Sequence, residues 1–323
     1  MNPPPTPVQT LPQIQHQTIE LPHGIHLRCR ITEPWTAKAQ TRPARPLLVF
    51  LHGFPEAAFI WDDFLQHFAS PEGGSHVCIA PNLRGYAGSS APTDVSAYRA
   101  KHLVQDIVSL IQHFTTSQGI QTPVVLIAHD WGGAVAWNVA ASCPDLLAKL
   151  VIINSPHPAT FLRELAHNPA QQAASAYMNF LARPDAPELL AADDFARLWP
   201  FFEHMGASTG LYAWLTDEVR EQYRDVWRQG LQGPCHYYGA SPLRPPSAND
   251  PAATAVTLPA SVTHVRIPTQ VIWGLADIAL PPSLLDGLEQ YIPDLRIDRI
   301  PNGSHWVIHE QPQALMAFMK AFL

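Results

Sequence analysis

The chain has 323 residues, of which 46% are hydrophobic and 15% charged, and its formal net charge is −7. This balance excludes disorder along most of the chain, and it offers no electrostatic surface for nucleic acid or an anionic membrane. The four cysteines have no CxxC spacing, which argues against a zinc site and against a disulfide scaffold. We therefore expect reduced thiols and a small, uncharged ligand.

The start of the chain and its hydropathy predict a cytoplasmic protein. Residues 1–10 are rich in proline and lack a basic start followed by an apolar run, so they do not resemble a secretory signal. No stretch approaches the ~20 uninterrupted apolar residues that a membrane-spanning helix needs. We expect binding to neither a membrane nor nucleic acid.

Short apolar runs bounded by turn residues predict buried strands. Between two of them, Leu103, Ile107, Leu110, Ile111 and Phe114 recur on one face of a helix. Strands that alternate with helices are typical of a mostly parallel sheet with helices on both faces. The predicted strands are residues 47–51, 77–80, 124–128, 150–153, 269–273 and 295–300.

Residues 158–262 contain no strand-like run. Tryptophan, tyrosine and proline cluster there among segments that we predict to be helical, such as residues 194–202 and 217–229. A proline-rich segment then leads back to the strand pattern at Ile267. We therefore divide the chain into a core of residues 1–157 and 263–323 and a helical cap of residues 158–262.

A strand that runs directly into a helix singles out Asp130. Its neighbours Ala128, Gly132 and Gly133 are the small residues that a crowded strand-to-helix turn requires. A carboxylate is ionised near neutral pH, so it attacks carbon without a base that first removes a proton. Alternatively, Asp130 simply caps the helix that starts at Trp131, since aspartate is a preferred capping residue.

Asp277 and His305 each follow a later strand-like run. Both therefore lie at carboxyl ends of strands, where open α/β sheets place their sites. The order along the chain is nucleophile, acid and histidine, as in α/β-hydrolases. His305 would activate water, and Asp277 would fix the tautomer of His305 and stabilise its imidazolium. Asp277 is also compatible with a plain turn residue. Among the 16 histidines, the competing candidates are His129, His157 and His309.

Two motifs resemble those of epoxide hydrolases and haloalkane dehalogenases in the α/β-hydrolase superfamily. His-Asp-Trp-Gly at residues 129–132 is similar to their nucleophile motif, with Ala128 where the family usually has glycine. His-Gly-Phe-Pro at residues 52–55 resembles their oxyanion-hole motif, although it also forms a tight turn. By this resemblance, the backbone N–H groups of Phe54 and Trp131 would stabilise the negative charge that develops on an ester carbonyl.

The resemblance extends from about Ile19 onward and implies the α/β-hydrolase fold. This fold is of the α/β class, with a helical cap inserted after the sixth strand. Two cap segments, around Tyr177 and Tyr238, look like the tyrosine segments of epoxide hydrolases. A tyrosine O–H is neutral at pH 7 and donates to the alkoxide that forms when an epoxide opens. Gly239 and His236 replace the usual arginine and asparagine, so Tyr237 is the alternative donor. Packing in a helical lid is the other explanation for these tyrosines.

The resemblance thus implies a cofactor-independent hydrolase of epoxide ether bonds. Asp130 would form a covalent alkyl ester, and water activated by His305 would release a vicinal diol. The partners would be a small apolar epoxide and water; a homodimer is compatible with the family, but no residue decides it. We assign residues 154–158 a hinge or packing role. The substrate pocket is expected to include Phe54, Trp131, Tyr237 and Trp306.

Two other functions share these features. A haloalkane dehalogenase would use the same nucleophile, but Phe54 stands where one group of dehalogenases has asparagine, and halide release does not need the tyrosine pair. A fluoroacetate-type dehalogenase would carry arginine where Trp131 stands. The fold also serves as a receptor-like ligand-binding scaffold with little turnover. The complete set of Asp130, Asp277 and His305 argues against such a scaffold.

Overall fold

The computed structural model describes residues 12–32, 46–115 and 123–323. The proline-rich start of the chain, residues 1–10, lies outside the described residues. Eight strands are present: β1 (Gln15–Glu20), β2 (His26–Ile31), β3 (Leu47–Leu51), β4 (Val77–Pro81), β5 (Val124–His129), β6 (Lys149–Ile153), β7 (Thr269–Gly274) and β8 (Leu295–Ile300). They form one sheet in the order β1-β2-β4-β3-β5-β6-β7-β8.

The sheet is mostly parallel, as predicted. Strand β3 pairs in parallel with β4 and β5, and the pairs β5–β6, β6–β7 and β7–β8 are parallel as well. Strand β2 pairs antiparallel with β1 and β4. Every residue of β3 and β5 is buried, as expected for parallel strands that helices cover on both faces.

All six predicted strands are present, and no bound differs from the prediction by more than one residue. Strands β1 and β2 were not predicted. In β1 only Ile19 is buried, so this strand lacks an apolar pattern. In β2 the buried residues Leu27, Cys29 and Ile31 alternate with polar ones, which is the signal of a half-buried strand.

Helices cover both faces of the sheet. Helices α2 (Ala100–Thr115) and α3 (Trp131–Ser142) pack on the face that Leu126 of β5 contributes to. Helices α1 (Asp62–Ala69) and α13 (Pro312–Phe322) pack on the other face, with Val125 and Ile127. The predicted apolar face of α2 is buried, and each of its large side chains contributes about 1.5–3 kcal/mol of hydrophobic stabilisation.

The segment between β6 and β7 is helical, as the predicted fold requires. Its described residues contain one isolated bridge, between Ser247 and Asp250, and no strand. The limits of a core and a cap domain stay a prediction. The helices are α4 (Pro158–His167), α5 (Pro169–Ala174), α6 (Tyr177–Leu181), α7 (Ala186–Phe195), α8 (Trp199–Glu203), α9 (Asp217–Trp227), α10 (Gln232–Ala240) and α11 (Ala260–Thr263).

One predicted helical segment, residues 194–202, is wrong in its first half. Residues 193–195 have φ values of 52°, 53° and 63°, in the left-handed region, and right-handed helix resumes as α8 at Trp199. Aspartate visits this region more readily than most residues. The carboxylate of Asp194 also pairs with Arg224 of α9 at 2.8 Å. This ion pair stabilises the turn, and helical periodicity in the sequence does not predict it.

Helix α12 (Val307–Glu310) directly follows the residues around His305 and precedes α13. None of the helices in the described ranges is long and apolar enough to cross a bilayer. All four cysteines are free thiols, as predicted.

Candidate active site

Asp130 stands on a strained turn between β5 and α3, with φ 50° and ψ −123°. A Cβ atom on Gly132 would lie 2.5 Å from the backbone oxygen of Leu51, and one on Gly133 would lie 2.3 Å from Cβ of Ser155. The turn therefore requires small residues at both positions. The side chain of Asp130 accepts no capping hydrogen bond from α3, so capping does not account for it.

The carboxylate of Asp130 is held by the loop that follows β3. The backbone N–H of Phe54 donates to its Oδ1 atom over 2.7 Å. Gly53 allows this approach, because a Cβ atom there would lie 2.2 Å from the same oxygen. Trp131 is the first residue of α3, so its backbone N–H has no acceptor within the helix. Two backbone donors therefore belong to the segments that meet at this carboxylate.

The imidazole of His305 lies between two carboxylates. Its Nε2 atom is 3.5 Å from Oδ2 of Asp130, and its Nδ1 atom is 2.8 Å from Oδ2 of Asp277. The other oxygen of Asp277 accepts the backbone N–H groups of Ala279 and Leu280, at 2.8 and 2.9 Å. Asp277 is therefore fixed by its own loop, and it orients the ring toward Asp130.

The charges in this triad stabilise one another. Burial opposes protonation of His305, but Asp277 and Asp130 outweigh it and raise the pKa of His305 to about 10. Burial likewise opposes ionisation of Asp130, yet His305 brings the pKa of that carboxyl below its usual value. Near neutral pH the resting site holds an ionised Asp130 beside a protonated His305.

The competing histidines are engaged elsewhere. His129 donates from Nε2 to the backbone oxygen of His305 over 2.9 Å. His157 donates to the backbone oxygen of Thr263, and burial lowers its pKa to about 4. His309 contacts a buried glutamate at 2.7 Å. Of the four candidates, His305 is the one whose ring nitrogens bridge Asp130 and Asp277.

Tyr177 and Tyr238 come together beside Asp130. Their ring centroids are 6.1 Å apart, and the ring of Tyr238 packs edge-on against Trp131 at 5.1 Å. Burial, reinforced by the nearby charge of Asp130, raises the pKa of both phenols. Both are therefore neutral O–H donors at pH 7. The hydroxyl of Tyr237 instead donates to the backbone oxygen of Arg84 over 2.9 Å.

A cavity of about 170 Å³ opens beside these groups, with a mostly apolar lining. Asp130, Tyr177 and Tyr238 line it, and so do Trp131 and Tyr237 of the expected pocket. Phe54 and Trp306 are not among the lining residues. Phe54 packs edge-on against Tyr238 at 5.2 Å, and the indole N–H of Trp306 donates to the backbone oxygen of Phe201.

The sequence profile of the α/β hydrolase fold family matches residues 46–312. The chain belongs to this family. It is 32% identical over 292 residues to the AB hydrolase superfamily protein YfhM of Bacillus subtilis, which covers 87% of this chain and 93% of that protein. It is 31% identical over 284 residues to mouse epoxide hydrolase 4, which covers 86% of this chain and 73% of the mouse protein.

Solved structures agree with the sequence relatives. A Bacillus megaterium epoxide hydrolase in complex with an inhibitor superposes with a TM-score of 0.80 at 29% identity, over 95% of this chain and 99% of that one. A structure of novel epoxide hydrolases from metagenomes of hot environments has a TM-score of 0.79 at 34% identity, over 96% of this chain and 98% of that one. The predicted resemblance to epoxide hydrolases is thus confirmed.

The contacts of Asn154 in this α/β-hydrolase were not predicted from the sequence. Its side-chain N–H₂ donates to Oδ2 of Asp277 over 2.8 Å, and its Oδ1 accepts the backbone N–H of Gly274 over 2.9 Å. Asn154 thereby ties the end of β6 to the end of β7. The available signal was its place directly after β6, at the carboxyl edge of the sheet, where only hinge or packing was expected.

A role for Glu56, which is fully buried, was also not predicted from the sequence. Its Oε1 accepts hydrogen bonds from the hydroxyl of Tyr223 and from Nε2 of His309, both at 2.7 Å. Burial opposes its charge, but His309 and His129 outweigh burial and hold the pKa of Glu56 below its usual range. Tyr223 belongs to α9, so this carboxylate connects the loop after β3 to the inserted helices.

No group of three or more potential side-chain metal ligands occurs within residues 12–32, 46–115 and 123–323.

Proposed function

We propose that this chain hydrolyses epoxides to vicinal diols through a covalent alkyl ester on Asp130. The observation that carries the proposal is the position of Asp130, which has His305 and Asp277 as neighbours and shares an apolar cavity with Tyr177 and Tyr238. The relatives and solved structures named above support an epoxide hydrolase within the α/β-hydrolase family.

The first step is opening of the epoxide ring. A carboxylate oxygen of Asp130 attacks one oxirane carbon, and the bond from that carbon to the epoxide oxygen breaks. The oxygen leaves as an alkoxide that stays attached to the other carbon, and the hydroxyl of Tyr177 or Tyr238 donates a proton to it. A neutral donor suits this step because it stabilises charge that develops only in the transition state.

The second step is hydrolysis of the ester. Water gives a proton to Nε2 of His305, and its oxygen attacks the carboxyl carbon of Asp130. The N–H groups of Phe54 and Trp131 stabilise the resulting oxyanion. Collapse of this intermediate breaks the bond between the carboxyl carbon and the ester oxygen. The departing oxygen takes the remaining proton from water and leaves as a hydroxyl of the diol, and Asp130 is again a carboxylate that retains one oxygen from water.

The triad explains why the base becomes available only after alkylation. In the resting site Asp130 helps to keep His305 protonated. Esterification removes the negative charge of Asp130, so one of the two carboxylates that raise the pKa of His305 is lost. His305 then releases its proton more readily, and this proton returns the phenolate of Tyr177 or Tyr238 to its neutral form. The neutral His305 acts as the base, while Asp277 stabilises the imidazolium that forms.

The donors beside Asp130 favour an epoxide over a haloalkane. A departing halide carries its own charge and needs only weak donors such as indole or amide N–H groups. An alkoxide needs a proton, and two phenols line the cavity together with Asp130. The presence of all three triad residues also argues against a receptor-like scaffold with little turnover.

A small apolar epoxide and water are the proposed substrates. The cytoplasmic location and the homodimer stay predictions.

Incubation with racemic epoxides and with bromoalkanes tests the proposal. We expect diol from at least one epoxide and no release of bromide above that of an Asp130→Ala control. Bromide release without diol would make the chain a dehalogenase. Saturable ligand binding without formation of either product would indicate a receptor-like ligand-binding scaffold.

A further inference from the structure

The cavity beside Asp130 extends along one face of α3. Trp131, Ala134, Val135 and Asn138 line it, at the spacing i, i+3, i+4 and i+7 that defines one side of a helix. Seven residues of helix rise by about 10 Å. The part of the cavity along α3 therefore spans about this length and begins next to Asp130, and we call it the channel.

The channel suits an uncharged, apolar chain. Asp130 is the one charged side chain among the lining residues in the described part of the chain. Apart from the phenols of Tyr177 and Tyr238, hydroxyl groups in the lining donate to backbone oxygens, for example Tyr98 to Pro92 over 2.9 Å and Ser155 to Asp130 over 2.6 Å. These donors are already satisfied, so a polar substituent would lose hydrogen bonds to water and gain few in return.

Aromatic rings pack together on the side of Phe54. The ring of Phe201 packs edge-on against Phe54 at 5.8 Å and against Tyr177 at 5.6 Å. The indole N–H of Trp306 donates to the backbone oxygen of Phe201 over 2.9 Å, which fixes the segment that carries this ring. Neither Phe54, Phe201 nor Trp306 lines the cavity. We call these three residues the aromatic wall.

The channel along α3 and the aromatic wall limit the shape of the substrate that can reach Asp130. An epoxide has two ring carbons, and a substituent on each would need space in two directions from Asp130. We infer that this site selects terminal epoxides, in which one ring carbon carries an apolar chain of up to about eight carbons, over internal epoxides with a chain on both carbons. The inference rests on the proposed function.

A pair of isomers tests the inference in the wild-type protein. The epoxides 1,2-epoxydecane and trans-5,6-epoxydecane have the same composition, but the first carries one octyl chain and the second two butyl chains. We expect kcat/KM for diol formation to be at least about 100-fold higher with the terminal isomer, because the aromatic wall excludes the second chain.

A chain-length series measures the channel. From 1,2-epoxybutane upward, each added methylene should raise kcat/KM about threefold to fourfold, as expected for burial of one CH₂ group. The increase should stop near the octyl chain, where the channel along α3 ends. Equal kcat/KM values from butane to decane would overturn the inference.

The Phe201→Ala variant tests the wall. It should raise the ratio of kcat/KM for the internal isomer to that for the terminal isomer at least tenfold. Phe318→Ala is the matched control, because Phe318 lies on α13 and contacts neither the cavity nor the wall in the described structure. It should leave the ratio unchanged. An unchanged ratio in a folded Phe201→Ala protein would show that Phe201 does not exclude the second chain.

The wild-type isomer pair also separates the two proposals. Diol from both isomers at rates within tenfold of each other would overturn the inference and leave the proposed function intact. No diol from either isomer, or from any member of the series, would mean that the proposed function fails and the inference with it. Because this comparison uses the wild-type chain, it does not depend on the folding of a variant.

Discussion

Nε2 of His305 lies 3.5 Å from Oδ2 of Asp130, at the outer limit of a hydrogen bond, and the two groups carry opposite charges in the resting site. The same histidine would serve as a cation before alkylation and as a base after it. This reversal requires that its affinity for a proton depends on the charge of Asp130.

Ester hydrolysis should accelerate as pH rises. The pKa of His305 is about 10 beside an ionised Asp130, and alkylation removes that charge, so the pKa in the ester should be lower. Single-turnover decay of the alkylated enzyme should therefore speed up as His305 loses its proton, with a midpoint well below 10. A decay rate that does not change between about pH 5 and pH 9 would contradict this role for His305.

Stability should show the opposite dependence on pH. The folded-state pKa of His305 lies above the unfolded value of 6.5, so its contribution is fully present below about pH 6.5 and is lost as pH rises toward 10. The difference in unfolding free energy between wild type and His305→Gln should shrink over this interval in denaturant titrations. A difference that stays constant over this interval would show that the histidine is neutral in the folded protein.

Loss of the base should trap the ester. In His305→Gln, Asp130 still faces the cavity, so an epoxide should alkylate it while hydrolysis stops. Intact-protein mass spectrometry should show a persistent mass increase equal to one epoxide, and peptide mapping should place it on Asp130. Asp130→Ala is the control and should stay unmodified. An unmodified His305→Gln protein that binds the epoxide would count against the scheme.

Tyr177→Phe and Tyr238→Phe should each slow alkylation, by roughly 10²-fold if the two donors act independently. Tyr237→Phe is the matched control, because its hydroxyl is already donated to the backbone oxygen of Arg84. Rapid-quench single turnovers measure the alkylation step alone. Equal rates in the three variants would show that neither Tyr177 nor Tyr238 is specifically required.

The buried pair of Arg84 and Asp106 should control stability. Arg84 donates two hydrogen bonds to Asp106, at 2.6 and 2.7 Å, and both side chains are at least 95% buried. Arg84→Leu leaves Asp106 with His23 as its remaining ion-pair partner in the described structure. We expect a loss of about 3–5 kcal/mol of unfolding free energy. The double variant Arg84→Leu, Asp106→Leu should recover most of it; no recovery would mean that lost packing dominates.

The sequence identified features that depend on neighbours along the chain. Asp130 is recognisable because its strand, its small neighbours and its helix are consecutive. Strand β5 is recognisable as a continuous apolar run of the right length. The order of Asp130, Asp277 and His305 follows from the same logic, since each residue lies in the turn or loop that follows a strand.

Features that depend on distant contacts could not be predicted in this way. Asn154 orients Asp277 across 123 positions, and Glu56 meets Tyr223 across 167. The choice between Tyr237 and Tyr238 depends on Arg84, whose backbone oxygen takes up one hydroxyl. Such contacts are set by how the inserted helices lie on the sheet, and no local pattern specifies that geometry.

The most direct test of the covalent ester on Asp130 is one turnover in water labelled with ¹⁸O, with enzyme in excess over epoxide. Because solvent attacks the carboxyl carbon, the heavy oxygen should appear in Asp130, and the first diol released should contain only ¹⁶O. Heavy oxygen in that first diol, with Asp130 unlabelled, would contradict the account by showing that water attacks the epoxide itself.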